Sequence, residues 1–523
     1  MRWLSPEPSF PAPRPASLVP LGRRRRWQQP WHRRRRTFRL FHRRRRVWRG
    51  LFWLTLLSLT ALPSLHWANR WLYQHQRAKA EPLLHALLPE ILGERVVVIA
   101  PHPDDETLQA GGLIAWLVQR GILPHVFVVT DGDGYDAAIK WFYHEWHITE
   151  AHRHAFALRR RQETLAAMSL LNVPADHVHF LGFSERTLPA RWLLKGDPTP
   201  MRVLKEGLAN LKPTAVILPS RYDDHPVHAA VCSLSWAALV QGVAEGALPQ
   251  MPVVLEALIH YGEFPRPQGF HPDLQLLPPL DLLTVARWWC FPLPRELRER
   301  KRQALLQYRT QLPLSGRFLK SFVRTNELFA EPLALWRQPD RIGEPRSLLP
   351  FADLTEVTLV PLQPHWQLQM RLRGKPHSPP LVPRPSSREG FRYGVHWFVP
   401  AEPHPFLAVT DCVPSATTED SVLVSAAPEV VSRREQAVIA TAFVAHGEKI
   451  LDIAPLTVGR EIRQAELSQR RDFGRGTGDE EVARNRQSAF QPVSPSRPSS
   501  RAPRPVKASL HPEKQRAQVL GGR

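Results

Sequence analysis

Cysteine is scarce: Cys232, Cys290 and Cys412 are the three in 523 residues. Their number is odd and their spacing wide, so neither a CxxC metal knuckle nor a disulfide framework can be built from them. Acidic residues are nearly absent from the N-terminal arm. Residues 1–50 hold 16 arginines against the single acid Glu7, a charge of +15, and residues 471–523 add +6. Set against +22 for the whole chain, this leaves about +1 for everything between. The strongly basic balance therefore describes two tails. It argues against a basic channel for nucleic acid in the folded part.

Charge is wholly missing from Leu51 to Ala68, an 18-residue stretch that comes after arginine tetrads at 23–26, 33–36 and 43–46. Roughly 20 apolar residues cross a bilayer as a helix, so residues 47–70 are expected to form a transmembrane signal-anchor. The arginines crowd its N-terminal side, and the positive-inside rule then puts residues 1–46 in the cytoplasm and the C-terminal mass outside the cytoplasmic membrane. Anionic lipid headgroups are the expected partner of the arginine runs. A cleavable signal is the competing reading, but His66-Trp67-Ala68 places a histidine at the −3 position of any cleavage site.

After a short amphipathic segment the sequence switches to alternating strand and helix signals. ERVVVIA (94–100), HVFVVTDG (125–132), HVHFLGF (177–183), TAVILPS (214–220) and VVLEALIHYG (253–262) are apolar runs separated by amphipathic helical segments. This pattern predicts an α/β fold, Rossmann-like with a mostly parallel sheet, over residues 80–340. From 345 to 465 the helical period is lost. Short strand-like runs there predict a small β-sandwich-like accessory domain, and residues 466–523 read as a disordered basic tail.

Two polar motifs stand at strand ends. Pro101-His102-Pro103-Asp104-Asp105-Glu106 comes after the first strand, and Asp223-Asp224-His225-Pro226-Val227-His228 after the fourth. Ligands bind at the carboxyl ends of strands in open α/β sheets, so the two loops should bring His102, Asp104, Asp105, His225 and His228 together. Three N/O ligands with an open position suit a catalytic zinc ion. A lone HPDD turn would be no more than a helix cap; its pairing with HPVH favours the metal.

These residues resemble the PIG-L/LmbE-like zinc-dependent N-acetylglucosaminyl de-N-acetylases. The resemblance runs from Arg95 to Leu312 and takes in the glycine pair 111–112, VVTDGD, Arg160 and Glu163 on one helix, IHYGEFP (259–265) and KRQALLQYRTQ (301–311). It implies His102, Asp105 and His228 as ligands of Zn2+ and Asp104 as the general base. It also implies that His225 steadies the oxyanion and protonates the leaving amine. Arg160, Asp131 and Glu185 are the candidate substrate contacts. Two positions depart from the family pattern. Val227 stands where HPDH is usual, and Glu185, after Ser184, stands where an aspartate for sugar binding is usual.

The resemblance thus implies hydrolysis of an N-acetyl group on an N-acetylglucosamine-type sugar in a glycan, glycolipid or glycoconjugate. An amidase acting on a larger acyl or thiol glycoconjugate uses the same chemistry. A glycan-binding envelope protein is the reading from outside the enzyme class.

Overall fold

The computed structural model describes residue 53 and residues 67–458, apart from 334–336, 344–348, 363–364, 376–390, 402, 415–421 and 428–437. The arginine arm, most of the apolar stretch 51–68 and the tail 466–523 lie outside the described residues.

Helix α1 (residues 67–80) and strand β1 (Leu84–Ala86) come first in the described fold. Strands β2 (Val96–Ala100), β3 (His125–Thr130), β4 (Val178–Phe183), β5 (Ala215–Pro219) and β6 (Val253–Ala257) are the five apolar runs read from the sequence. Between them lie α2 (Asp105–Gln119), α3 (Asp136–Tyr143), α4 (Glu150–Leu170), α5 (Thr199–Leu211) and α6 (Pro226–Ala244). Strand β7 (Ala286–Pro292), helices α7 (Arg295–Leu305) and α8 (Leu312–Lys320), and β8 (Asn326–Pro332) complete the unit. The sheet order is β1-β7-β8-β6-β5-β2-β3-β4. Strands β4-β3-β2-β5-β6 are all parallel, while β8 runs antiparallel to both β6 and β7.

Both faces of this sheet are covered, and β2 shows how. Its alternate residues Val97 and Ile99 pack with α5 and α6, whereas Val96, Val98 and Ala100 pack with α2, α4 and α7. A strand buried on both faces reads as a continuous apolar run, which is why VVVIA carries no alternation. After β2 the chain winds toward β3 and β4, and after β5 it winds the other way toward β6. The carboxyl ends of β2 and β5 therefore flank the switch point, where such sheets open a crevice.

Helix α2 is broken at Ala110 (φ −143°, ψ 17°). A buried ion pair fills the break. Lys301 Nζ donates to Leu108 O (2.9 Å) and to Glu327 Oε1 (2.7 Å), while Glu327 accepts the N–H groups of Gly112 and Leu113. The glycine pair has a steric reason: a Cβ on Gly112 would lie 2.4 Å from Leu293 Cδ2.

The remaining strands are β9 (Arg337–Pro339), β10 (Leu354–Leu362), β11 (His365–Leu372), β12 (Phe391–Val399), β13 (Phe406–Asp411), β14 (Val413–Pro414), β15 (Val422–Ala426), β16 (Ile439–His446), β17 (Lys449–Ile453) and β18 (Thr457–Val458). They form two antiparallel sheets, β14-β15-β11-β10-β9 and β13-β12-β16-β17, with β18 on β16. Leu359, Leu368 and Met370 of one sheet meet Val395, Trp397 and Val444 of the other in a shared core. The first of these sheets starts at Arg337, inside the 80–340 span assigned from sequence to the α/β unit.

The second sheet has another occupied face. Phe398, Ile439, Phe443 and Ile453 join the cluster of α6, so this helix is buried from both sides. Among the described residues α6 alone is long and apolar enough to cross a membrane, and its burial marks it as a core helix. Polar ties reinforce the seam. Ser233 Oγ lies 3.0 Å from Thr441 Oγ1, and Gln241 exchanges hydrogen bonds with the backbone of Ala401.

A sandwich that shares a core with α6 should not be separable from it. Phe443→Ala is expected to cost about 3–5 kcal/mol, read by denaturant unfolding. A chain ended after residue 340 should be insoluble; recovery of a soluble, cooperatively melting fragment would refute the shared core.

Candidate metal centre

The loop after β2 is held by its own hydrogen bonds. Pro101 O accepts from Thr130 N (2.9 Å) and Thr130 Oγ1 (2.7 Å), which ties it to the end of β3. Asp104 sits at φ 125°, a region costing about 1–3 kcal/mol for a residue with a Cβ. Its surroundings hold it there. Its N–H donates to Glu106 Oε2 (3.1 Å), and its carbonyl accepts from Thr107 and Leu108 to open α2. Arg160 reaches across from α4: Nη2 donates to Pro103 O (2.6 Å) and lies 3.3 Å from Asp104 Oδ2, while Nη1 donates to Gly132 O.

Three donor atoms converge at the crevice. His102 Nδ1, Asp105 Oδ2 and His228 Nε2 are each 3.1 Å from the other two. A tetrahedral ion with bonds of about 2.0–2.1 Å keeps its ligand atoms roughly 3.3 Å apart, so the triangle fits such an ion. Asp105 is fixed by the His102 backbone N–H, which donates to Oδ2 (2.8 Å). His228 is fixed by Asp223, whose Oδ2 lies 3.0 Å from Nδ1. A carboxylate behind a ligating imidazole sets its tautomer and raises its basicity. Asp223 in turn accepts backbone N–H groups from His225, Ile259 and His260.

The electrostatics favour a cation. Burial pushes the His228 imidazole toward neutrality, yet Asp105 and Asp223 overcome it and raise its pKa to about 10. Asp105 itself is held well below the usual carboxylate range, because His228 and His102 outweigh its burial. This pair of carboxylates thus retains a positive charge, as a proton where no metal is bound, and metal binding would release it.

Asp104 behaves in the opposite sense. Burial raises its carboxyl well above the ordinary range, Arg160 opposes this, and the neighbouring acids Asp105 and Glu106 add to the rise. Glu106 is lifted to about 7 by burial, against hydrogen bonds led by that from Tyr308 Oη. Two further histidines border the triangle. The His225 ring centroid is 5.0 Å from that of His102, and His260 lies 4.9 Å from His228 and stacks on Phe318.

The five residues His102, Asp104, Asp105, His225 and His228 are therefore brought to one place. Glu185 joins them, with Oε2 3.5 Å from His102 Nε2. Arg160 lies beside Asp104 with Nη1 and Nη2 directed at the loop carbonyls of Gly132 and Pro103, so the structure gives it a positioning place. Asp131 stays apart from the cluster because Arg161 forks its carboxylate (2.8 and 3.0 Å). Sequence reasoning gave no role to Asp223, although an acid five residues before His228 in the same loop was a visible signal. It also passed over Glu106 and Tyr308, whose contact spans 202 positions and leaves no local trace.

Comparison with known proteins gives the following likenesses. The family model described as PIG-L: GlcNAc-PI de-N-acetylase matches residues 97–239. The diacetylchitobiose deacetylase of Thermococcus kodakarensis is 31% identical over 26% of this chain and 45% of its own length. A protein of Bacillus subtilis named "Probable N-acetyl-alpha-D-glucosaminyl L-malate deacetylase 2" is 28% identical over 26% of this chain and 54% of its own. This chain thus spans about half the length of these relatives. Among solved structures, the N,N'-diacetylchitobiose deacetylase of Pyrococcus horikoshii is 20% identical, with a TM-score of 0.34 over 50% of this chain and 92% of that one. The matched stretch, residues 97–239, includes both His102 and His228 and is a domain of the PIG-L family.

Proposed function

We propose that this chain is a zinc-dependent hydrolase that removes the N-acetyl group from an N-acetylglucosamine-type sugar in a glycan, glycolipid or glycoconjugate. The observation that carries the proposal is the triangle of His102 Nδ1, Asp105 Oδ2 and His228 Nε2 with a buried, unligated Asp104 beside it. These three side chains would hold the zinc ion. A zinc ion there would polarise the acyl carbonyl and acidify water.

The chain's own residues account for the rest. Asp104 accepts the proton of the attacking water; its raised pKa brings it closer to neutral pH, where a general base is most effective. Arg160 keeps that carboxylate over the loop. His225, at the edge of the triangle, stabilises the tetrahedral oxyanion and hands a proton to the departing amine. The C–N bond breaks, leaving acetate and a free amino sugar. Glu185 is the candidate contact to sugar hydroxyls.

The same proposal anchors the protein by residues 47–70 in the cytoplasmic membrane, with the catalytic unit outside it. It rests on the arginine asymmetry around the uncharged stretch 51–68. Alkaline phosphatase fused after residue 80 should be active on the outer side of the membrane; an inactive fusion that is present in the membrane would reverse the orientation.

Metal content separates the assigned roles. His228→Ala should lose zinc and Asp104→Ala should keep it, as read by metal analysis after dialysis. Asp223→Asn should weaken zinc binding about 10–100-fold through the tautomer of His228; unchanged affinity would remove Asp223 from the site.

The activity test uses the full chain in detergent, loaded with zinc and offered N-acetylglucosamine and its oligomers. Acetate release is expected, lost in Asp104→Ala. Release of a larger acid from acylated analogues, with no acetate, would redirect the proposal to another acyl group. Normal turnover by Asp104→Ala would overturn the choice of base.

A further inference from the structure

Helix α1 is seated on the α/β unit by its polar side chains as well as its apolar ones. Tyr73 Oη donates to Gln275 O and accepts from Gln275 N (2.9 Å), and Gln76 Nε2 donates to Leu277 O and Pro278 O (2.8 Å). Where α1 meets residues 263–274, a cavity of about 920 Å³ opens. Its wall carries Arg70, Arg266 and Arg317, with Leu72 and Phe270 supplying apolar surface. Among the described residues none of these three guanidiniums forms an ion pair. Of the two acids that also line the cavity, Asp273 is engaged by Arg298 (3.2 Å) and Glu263 is exposed.

A second observation concerns apolar surface. Every strongly exposed tryptophan and phenylalanine among the described residues falls at positions 53–71, 141–146 or 270. Trp67, Trp71 and Trp146 are 68%, 64% and 83% exposed, and none of the sandwich's described aromatic rings is comparably bare. Exposed tryptophans beside cations mark the water–lipid boundary, where an amphipathic ring and a guanidinium both find partners. Arg317 immediately precedes Phe318, the ring stacked on His260, and Tyr135 at the foot of α3 lies 3.4 Å from Ser315 on α8, the helix of Arg317. Helix α8 thus joins the cationic cavity, through Arg317, to the edge of the metal centre, through Phe318.

We propose that the cavity between α1 and residues 263–274 binds the phosphate-bearing headgroup of an anionic phospholipid, seating the rim of the metal centre on the bilayer. The chain's order supports this occupant, since the cavity is built on the helix that comes directly after the uncharged stretch 51–68. The inference rests on that stretch being the anchor and does not depend on which acyl group is hydrolysed. The three arginines take the phosphate oxygens, and Leu72 with Phe270 faces the glycerol and first acyl carbons.

The test uses the full chain in nonionic detergent. Dihexanoyl phosphatidylglycerol, dihexanoyl phosphatidylcholine and inorganic phosphate are each titrated by calorimetry. Phosphatidylglycerol should bind at least tenfold tighter than either of the others. The Arg70→Gln/Arg266→Gln/Arg317→Gln chain should lose that preference, with an unchanged melting transition because all three side chains are exposed. A chain with the arginines at 23–26, 33–36 and 43–46 changed to glutamine should retain it. If the triple variant melts early, Arg317→Gln alone should still weaken binding threefold or more. Undiminished binding by a folded triple variant or by Arg317→Gln overturns the proposal. So does loss of binding in the arm variant, equal binding of phosphatidylcholine, or inorganic phosphate binding as tightly as the lipid. Zinc content and acetate release, measured on the same samples, tell failure here from failure of the hydrolase reading.

Discussion

Three consecutive carboxylates, Asp104, Asp105 and Glu106, are buried side by side, and much of the α/β unit serves to make that arrangement tolerable. Buried charges need partners, and each acid has a different one. Asp105 faces two imidazoles, Asp104 faces the Arg160 guanidinium, and Glu106 is bound by Tyr308 and Thr107. Apart from His102 and Thr107 beside the motif itself, those partners come from α6, α4 and the segment after α7. This explains why motifs scattered over 200 residues accompany one hexapeptide. Glu163, on the same helix as Arg160, accepts from Thr310 N and Oγ1, so the segment carrying Tyr308 is pinned to the helix carrying Arg160.

The second loop depends on the sandwich in a comparable way. Arg221 is buried in a forked contact with Glu256, and its Nη1 reaches Leu456 O. Tyr222 Oη donates to Gln338, and Asp224 accepts from Arg341 and from Gly262 N. The residues that set the approach to His225 and His228 are therefore held from both units. With α6 covered by Phe398 and Phe443, the sandwich acts as the outer wall of the metal loop. A glycan-binding role for it would have to use surfaces other than this one.

Much of this was legible in the sequence. Strands β2, β3, β5 and β6 are apolar runs because both their faces are covered, and the ends of β2 and β5 carried the histidines and aspartates in short, recognisable strings. What escaped was whatever depends on distant pairing. Strand β7, Ala-Arg-Trp-Trp-Cys-Phe-Pro, is held antiparallel by β8, whose own sequence mixes acids with apolar residues. Asp131 looked available from its turn, yet Arg161, 30 positions away, occupies it. The union of the two units had one visible sign: α6 is apolar on every side, and such a helix must be buried on every side.

The position of Glu185 shows how a departure from the family pattern is accommodated. A glutamate is one methylene longer than the aspartate usual there, and the added length must fit beside His102. Gly134 leaves the room, since a Cβ on it would fall 2.4 Å from Glu185 Oε1. Asp133 orients the segment by accepting from Glu185 N (2.9 Å) and Ser184 Oγ (2.6 Å). The turn after β3, with its Asp-Gly alternation, thus supports the acid that borders the metal ligands. The acid, the serine before it and the bare glycine opposite form one unit, in which residues 133–134 and 184–185 hold each other in place.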